Sequence, residues 1–428
     1  MEERGGLIGR GSMTIPKKVP ELLAPAGDME ALHCAVQFGA DAVYLAGTKF
    51  GMRSGPRNFT LDELREAVTL AHQNGVRVYL TCNTLPRNDE LGDLETFLPQ
   101  AAECGIDAFI ATDLGVLRMI RERAPQTEIH ISTQAGITNY ASANVLYEMG
   151  ARRIIPAREI SLAEIALIRR MIPSDMDIEC FIHGAICVSF SGRCLLSNYM
   201  TNRDSNRGEC AQPCRWTYNL VEERRPGEFY PLGEDEDGSY ILNARDMCMI
   251  RHIPELVEAG VSSFKIEGRA KSNYYVSVVV NAYRCAIDGY LRNPSPDYVP
   301  EQWILDEVYK VSHREYCTGF FFGHPKDNAE IFYDQIYRRY YETVAEVLSY
   351  DGTYLHLRQR NKFRVGDEIE FLERGKPPVK VTVPALLTEE DESVEAVPHP
   401  MMLFKIPLPY AVEPGSIVRR ATAELREI

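Results

Sequence analysis

The chain has 428 residues, of which 45% are hydrophobic and 25% charged, and its formal net charge is -14. This length accommodates two or three domains and a core that needs no disulfide bonds. The net negative charge excludes a uniformly basic nucleic-acid-binding chain, but it does not exclude a local basic patch. No apolar run reaches the length of a membrane helix. Residues 1–18 lack the apolar segment of a secretory signal, so we expect a disordered tail and a cytoplasmic protein.

Short apolar segments alternate with segments of helical periodicity from Glu21 to Leu291. Leu61–Asn74 and Leu162–Met171, for example, place apolar residues every three or four positions. The eight predicted strands are Glu21–Ala26, Ala42–Ala46, Arg77–Asn83, Ala108–Asp113, Ile129–Gln134, Arg153–Ala157, Ile178–His183 and Ser263–Glu267. Glycines stand before five of them, where helix C-caps belong, at positions Gly39, Gly75, Gly105, Gly150 and Gly260.

This alternation predicts an α/β chain whose residues 19–292 form a parallel (β/α)8 barrel of the TIM type. A doubly wound sheet is the alternative. The first loop, LAPAGD, lacks the G-x-G-x-x-G fingerprint of that fold.

The connection after the seventh strand, residues 184–261, is much longer than the others. It holds Cys187, Cys194, Cys210 and Cys214, spaced C-x6-C-x15-C-x3-C among glycine, proline and polar residues. Four thiols in such a loop predict a metal centre, and the irregular spacing favours a four-iron, four-sulfur cluster over zinc, which stays the alternative. Cys248 is a fifth candidate, while the remaining cysteines stand singly in apolar segments and are expected to pack in the core. A long loop at the carboxyl end of a barrel strand places this centre at the barrel mouth.

The pattern changes after Arg292. Residues 293–335 read as a linker, and residues 336–428 contain short alternating segments such as ETVAEVLSY and TYLHLRQR, separated by Gly and Pro. This predicts a small all-β domain that closes into a barrel. A short extra strand, Tyr240–Asn243, is expected within the long loop.

Charged residues near the strand ends are the candidates for chemistry. In KIEGR, strand alternation points Lys265, Glu267 and Arg269 the same way, either as an anion-binding site or as a structural ion pair. His183 could be a ligand, an acid–base group or a core imidazole. Arg53 lies in the basic loop TKFGMRSGPRNF, which binds an anion or is solvated.

Cations and aromatic residues are mixed beside the cysteines. Arg203, Arg207, Arg215, Trp216 and Tyr218 suit RNA, whose phosphates need cations and whose bases need stacking surfaces, or they pack the metal loop. No nucleophile elbow, H-E-x-x-H motif or Walker loop is present.

The run ECFIHGAICVSFSGRCLLS, Glu179–Ser197, resembles the signature of peptidase family U32, the collagenase-like proteins. ELLAPAGDMEAL, GADAVYL and SFKIEGRAKSNYY are also similar to this family. The resemblance covers Glu21–Leu291 and extends to the C-terminal β-domain of the longer members. Within the family, the cysteine spacing and the β-domain resemble those of the tRNA uridine 5-hydroxylation proteins.

That resemblance implies an oxygen-independent, prephenate-dependent enzyme that hydroxylates wobble uridine in tRNA with a four-iron, four-sulfur cluster. The implied ligands are Cys187, Cys194, Cys210 and Cys214, with Cys248 as the alternative to Cys214. The implied partners are tRNA, prephenate or a related small dicarboxylate, and a paralogous subunit of the same family.

Our own assignments are His183, Lys265 and Glu267 as catalytic residues, with Arg53 and Arg269 as substrate-binding residues. A collagenase-like peptidase and a zinc-stabilised RNA- or protein-binding module stay open as alternatives.

Overall fold

The computed structural model describes residues 19–52, 57–187, 189–216, 219–220, 230–231, 245–323 and 340–422. The expected tail, Arg53 and the expected strand Tyr240–Asn243 lie outside these ranges. None of the described helices is long and apolar enough to cross a bilayer.

Seven parallel strands follow one another around the first domain. They are β1 (Glu21–Pro25), β2 (Ala42–Ala46), β3 (Arg77–Cys82), β4 (Ala108–Ala111), β5 (Glu128–Ile131), β6 (Arg153–Ile154) and β7 (Asp177–Ala185). The long loop then contains β8 (Asn219–Leu220), β9 (Tyr230–Pro231) and β10 (Asp246–Cys248). The eighth barrel strand, β11 (Ser263–Ile266), pairs in parallel with both β1 and β7 and closes the ring. The predicted (β/α)8 barrel is therefore confirmed.

Helices cover the outside of the barrel. They are α1 (Met29–Gln37), α2 (Leu61–Gln73), α3 (Leu91–Glu103), α4 (Leu114–Arg123), α5 (Tyr140–Glu148), α6 (Leu162–Met171), α7 (Leu196–Thr201, within the cysteine loop), α8 (Ile253–Glu258) and α9 (Asn273–Arg292). Thr60 and Glu63 form a capping box at the start of α2, which satisfies backbone donors that the first helical turn leaves free. The five glycines predicted before strands all have positive φ, as helix C-caps require.

The segment after α9 packs against the barrel, although we expected it to be a linker. It contains α10 (Gln302–Glu307) and β12 (Tyr316–Cys317). Strand β12 pairs in parallel with β10, which runs antiparallel to β7, so the segment extends the barrel sheet. Ile304, Leu305 and Phe321 join the barrel core.

The C-terminal region is all-β, as predicted. Its strands are β13 (Tyr341–Tyr350), β14 (Tyr354–Gln359), β15 (Phe363–Arg364), β16 (Glu368–Leu372), β17 (Val379–Thr382), β18 (Leu386–Leu387), β19 (Ser393–Val394), β20 (Ala396–Val397), β21 (Leu403–Pro407) and β22 (Ile417–Ala421). Eight of them form one sheet in the order β17-β16-β22-β13-β14-β21-β18-β19 around a separate apolar core, and β15 pairs with β20. Within the described ranges, no backbone pairing joins the two outer strands β17 and β19, so strand pairing does not close this sheet into a ring.

A buried arginine joins the two domains. Arg419 on β22 is fully buried, and its Nη2 lies 2.6 Å from Glu307 of α10 and 2.8 Å from Glu370 of β16. Lys310 adds a second cation, 3.0 Å from Glu307 and 2.9 Å from Glu370. Two cations and two carboxylates therefore neutralise one another at the domain junction, where an unpaired charge would be costly.

Candidate active site at the barrel mouth

A cavity of about 250 Å³ opens at the carboxyl ends of the barrel strands. One part of its wall comes from the strands and the loops that follow them, including Tyr44, Thr81, Asn83, Gln134, Arg158, Phe181 and Lys265. The opposite part comes from the long loop after β7. Because βα loops form the active-site face of such barrels, this cavity is the candidate site.

All four predicted cysteine ligands line this cavity. Cys187 follows the end of β7, Cys194 precedes α7, and Cys210 and Cys214 lie in the turns after it. Cys248, the alternative ligand, does not line the cavity. Its thiol is buried beside Tyr283, and burial raises its pKa to about 11.

Hydrogen bonds within the loop hold the cysteine segments in place. The backbone N–H and the hydroxyl of Ser191 donate to the carboxylate of Glu159, at 2.5 and 2.8 Å. The Asn206 amide and the Ser205 hydroxyl donate to the carbonyl oxygen of Cys194. The N–H of Ala211 donates to the buried Ser197 hydroxyl at 3.0 Å. These bonds explain why a loop rich in glycine and polar residues adopts one path.

The thiols share features of metal-binding cysteines without forming a single-ion site. Backbone N–H groups of Leu196 and Gln212 donate to the sulfurs of Cys194 and Cys210, both at 3.3 Å, and such bonds stabilise thiolate ligands. Burial raises the pKa of the Cys187 thiol, and the nearby Cys194 and Cys210 raise it further.

Among the described residues, no three His, Cys, Asp or Glu side chains are close enough to hold one metal ion. A tetrahedral zinc site, with Zn–S near 2.3 Å, would bring its sulfurs within about 3.8 Å of one another. A cubane cluster is larger and separates its four thiolates more widely. Both kinds of centre are held by cysteine thiolates, and the four cysteines share the one cavity.

The structure brings Lys265, Glu267 and Arg269 together on the cavity wall. Lys265 is almost fully buried, and its Nζ lies 2.7 Å from Glu179 and 4.4 Å from the centre of the Tyr44 ring. Arg269 Nη1 donates to the Thr81 hydroxyl at 3.4 Å. These groups place two cations and one carboxylate at the inner end of the cavity.

A third cation, Arg158, was not among the predicted site residues. Its guanidinium lies 3.8 Å from the centre of the Phe181 ring, and its Nη1 donates to the carbonyl of Ala185 at 2.8 Å. Arg158 immediately follows the predicted sixth strand, Arg153–Ala157. The rule that strand ends carry site residues would have identified it.

His183 does not face the cavity, contrary to its expected place at the barrel mouth. Phe181 pairs with Lys265 and His183 pairs with Ile266, so Ile182 is an extra residue in β7. This bulge shifts the inward–outward alternation by one position.

The His183 ring therefore packs against Tyr275, Tyr283 and Tyr316 outside the cavity, with ring centres 5.2 to 6.0 Å away. Burial lowers the pKa of its imidazole to about 3. His183 is thus a neutral core group, and none of the described histidines lines the cavity.

A chain of buried charges supports the inner wall from below. Glu179 lies 2.7 Å from Lys265 and 3.0 Å from Arg153, and Arg153 lies 2.7 Å from Glu21. Burial alone would raise the pKa of Glu179, but Lys265 and Arg153 hold it below its usual value. Arg153 likewise contributes to lowering the pKa of Glu21 to about 2, against the effect of burial. The alternating charges fix the position of Lys265.

The fold and this cavity define a (β/α)8-barrel protein with a cysteine-bearing loop over its mouth. The family model of peptidase family U32 matches residues 27–331, and that of the peptidase family U32 C-terminal domain matches residues 339–419. The chain belongs to peptidase family U32.

Relatives within the family carry different names. The tRNA hydroxylation protein P1 of Bacillus subtilis is 38% identical over 415 residues, covering 96% of this chain and 97% of that protein. The 23S rRNA 5-hydroxycytidine C2501 synthase of Escherichia coli is 37% identical over 276 residues, 64% of this chain and 40% of that protein. The Collagenase of Porphyromonas gingivalis is 33% identical over 313 residues, 71% of this chain and 73% of that protein.

Proposed function

We propose that this protein hydroxylates a pyrimidine base of RNA, and specifically C5 of the wobble uridine of tRNA. The observation that carries the proposal is one cavity lined by four loop cysteines and by three cations, of which Lys265 and Arg269 are buried and Arg158 is half-buried. Support also comes from the names of two relatives, one a tRNA hydroxylation protein and one an rRNA 5-hydroxycytidine synthase.

The four loop cysteines would hold a four-iron, four-sulfur cluster. Their lining of one cavity and the amide donors to the sulfurs of Cys194 and Cys210 support a metal centre held by thiolates, and the irregular C-x6-C-x15-C-x3-C spacing favours this group over zinc. Conversion of C5–H to C5–OH oxidises the base by two electrons, and the hydroxyl donor would be reduced by the same two electrons as its own C–OH bond breaks and a C–H bond forms. A bound cluster would supply one-electron chemistry for this exchange. Cys214 is the fourth ligand in this proposal, because Cys248 lies outside the cavity.

The inner cations would bind the hydroxyl donor, prephenate or a related small dicarboxylate. Lys265 contacts Glu179, and Arg158 donates to a backbone carbonyl and stacks on Phe181. Arg158, Lys265 and Arg269 would together bind the two carboxylates of one small molecule. The rings of Phe181 and Tyr44 provide apolar walls for its carbon skeleton.

Glu267 is the group we assign to proton transfer. It lines the cavity, and the Tyr44 hydroxyl lies 3.4 Å from its Oε2, which orients the carboxylate. A carboxylate there would accept the proton that leaves C5 of the base. His183 is excluded from this role because the bulge in β7 places it outside the cavity.

The peptidase alternative has less support in this cavity. Nucleophilic peptidases pair a serine or cysteine with a general base, usually histidine. No described histidine lines the cavity. Because the Porphyromonas gingivalis relative is named Collagenase, the test below also measures peptide cleavage.

Mass spectrometry of nucleosides tests the proposal. The protein is purified without oxygen and incubated with unmodified tRNA, with and without prephenate, before the RNA is digested. We expect 5-hydroxyuridine only when the donor is present. Cys194→Ser should abolish the product, and Cys34→Ser, which alters a cysteine on α1 away from the cavity, should retain it. Equal product from wild type and Cys194→Ser, or gelatin cleavage lost in that variant without any hydroxylated nucleoside, would contradict the proposal.

A further inference from the structure

The cysteine loop exposes large apolar side chains that do not line the cavity. Leu195, Tyr199, Met200 and Trp216 form what we term the outer loop face, and they are 56%, 81%, 45% and 44% exposed. Several large apolar side chains exposed together in one short loop indicate a binding site.

The members of the outer loop face lie close together and close to the cavity. Leu195 and Tyr199 are four residues apart across the start of α7, so their side chains share one side of that helix. Helix α7 packs against the turn Pro213–Arg215, and Trp216 follows that turn directly. Leu196, Pro213 and Cys214 line the cavity. The outer loop face therefore continues the cavity rim.

Charge distinguishes among the molecules that could cover this face. Residues 189–216 contain four arginines and two acidic residues, a formal charge of +2 in a chain whose total is -14. Arg203 is exposed and lines the cavity mouth, and among the described residues no carboxylate pairs with it. Arg207, by contrast, is held by Glu90 through two contacts of 2.8 Å. An anionic partner with flat apolar groups fits this combination.

We propose that the outer loop face binds unpaired nucleotides of an RNA that flank the nucleotide entering the cavity. Bases stack on Tyr199 and Trp216, and Arg203 contacts a phosphate at the rim. Stacking on exposed rings tolerates any base, so this face supplies affinity and position rather than sequence selection. The inference rests on the proposed function for its RNA partner, and it assigns to the loop a binding role in addition to its cysteines.

Fluorescence anisotropy with labelled RNA tests this inference. The probes are a hairpin with an unpaired loop and a blunt duplex of the same base composition, at one fixed salt concentration. Tyr199→Ala and Trp216→Ala should each weaken hairpin binding by about 5- to 150-fold, the range for loss of one stacked base. Tyr199→Phe keeps the ring and should bind within about twofold of wild type. Tyr410→Ala removes an exposed tyrosine of the β-domain and should have no effect.

Further measurements separate this inference from the proposed function. Iron content should be unchanged in Tyr199→Ala, because the ring is exposed and its hydroxyl takes part in none of the loop hydrogen bonds described above. In turnover assays its KM for tRNA should rise while kcat is retained, as expected for a group that binds substrate away from the reacting atoms. Arg203→Ala should lower the salt dependence of binding by the equivalent of about one phosphate contact.

Several results would overturn the inference. They are equal hairpin affinity in wild type and in the Tyr199→Ala/Trp216→Ala double variant, no hairpin binding by wild type, and binding of duplex as tightly as hairpin. Binding of gelatin, lost in the double variant, would assign the face to a protein partner instead. If the aromatic variants lose RNA binding but wild type forms no hydroxylated nucleoside, the inference stands and the proposed function fails. If wild type hydroxylates tRNA and the aromatic variants behave identically, the proposed function stands and the inference fails.

Discussion

His183 provides a quantitative test of the bulge in β7. The imidazole is 1% exposed and its pKa is lowered to about 3 by burial, whereas an unfolded histidine titrates near 6.5. The unfolded chain therefore binds more protons between these values. Stability from the neutral buried ring is fully present above pH 6.5 and is lost as the pH falls toward 3. Below pH 6.5 the free energy of unfolding falls by about 1.4 kcal/mol for each pH unit. The loss between pH 7 and pH 5 is therefore about 2 kcal/mol.

The free energy of unfolding of wild type and of His183→Gln is measured with urea at pH 7 and at pH 5. Glutamine does not titrate, so the variant lacks this part of the pH dependence. The difference in free energy of unfolding between wild type and variant should therefore be about 2 kcal/mol smaller at pH 5 than at pH 7. Tyr316→Phe is the matched control. It removes the hydroxyl that lies 3.4 Å from His183 Nε2 but keeps the imidazole, so its cost should be similar at both pH values.

If the difference in free energy of unfolding between wild type and His183→Gln stays constant from pH 7 to pH 5, His183 is not buried as described. The ring would be accessible to water in the folded protein, as a residue in the cavity would be. The burial of His183 among three tyrosines would then be wrong, and so would the bulge at Ile182 that places it there.

Three further predictions concern the buried charges. Glu179→Gln leaves Lys265 without its carboxylate and should lower the free energy of unfolding at pH 7 by about 3–5 kcal/mol; an unchanged urea midpoint would refute this. Arg419→Met leaves Glu307 and Glu370 to share Lys310 at the domain junction and should lower the thermal midpoint, measured by calorimetry, whereas a raised midpoint would show that the junction favours apolar contact. Lys265→Gln should raise the KM for the dicarboxylate donor with iron content unchanged, and an unaltered KM would remove Lys265 from the donor site.

The fold could be predicted from the sequence because its two periodicities are regular. Segments such as Ala42–Ala46 and Leu162–Met171 have the same bounds in the prediction and in the structure. The segment after Arg292 was harder to assign, because α10 has only six residues and β12 only two. Such short elements owe their structure to packing on the barrel rather than to local pattern.

The candidate site could be predicted in part. The cysteine spacing marked the loop, and alternation placed Lys265, Glu267 and Arg269 on one face. Alternation failed for His183 because a bulge depends on how two strands pair, and no residue in β7 signals it. The pairing of Lys265 with Glu179 joins residues 86 positions apart and likewise follows only from the closed barrel.

We propose that the four loop cysteines hold an iron–sulfur cluster in an RNA-modifying enzyme. The most direct measurement is iron, sulfide and zinc analysis of the protein purified without oxygen, for wild type, Cys214→Ser and Cys248→Ser. We expect about four irons and four sulfides per chain in wild type and in Cys248→Ser, and loss of most of the iron in Cys214→Ser. One zinc and no iron in wild type, or full iron in Cys214→Ser, would contradict it.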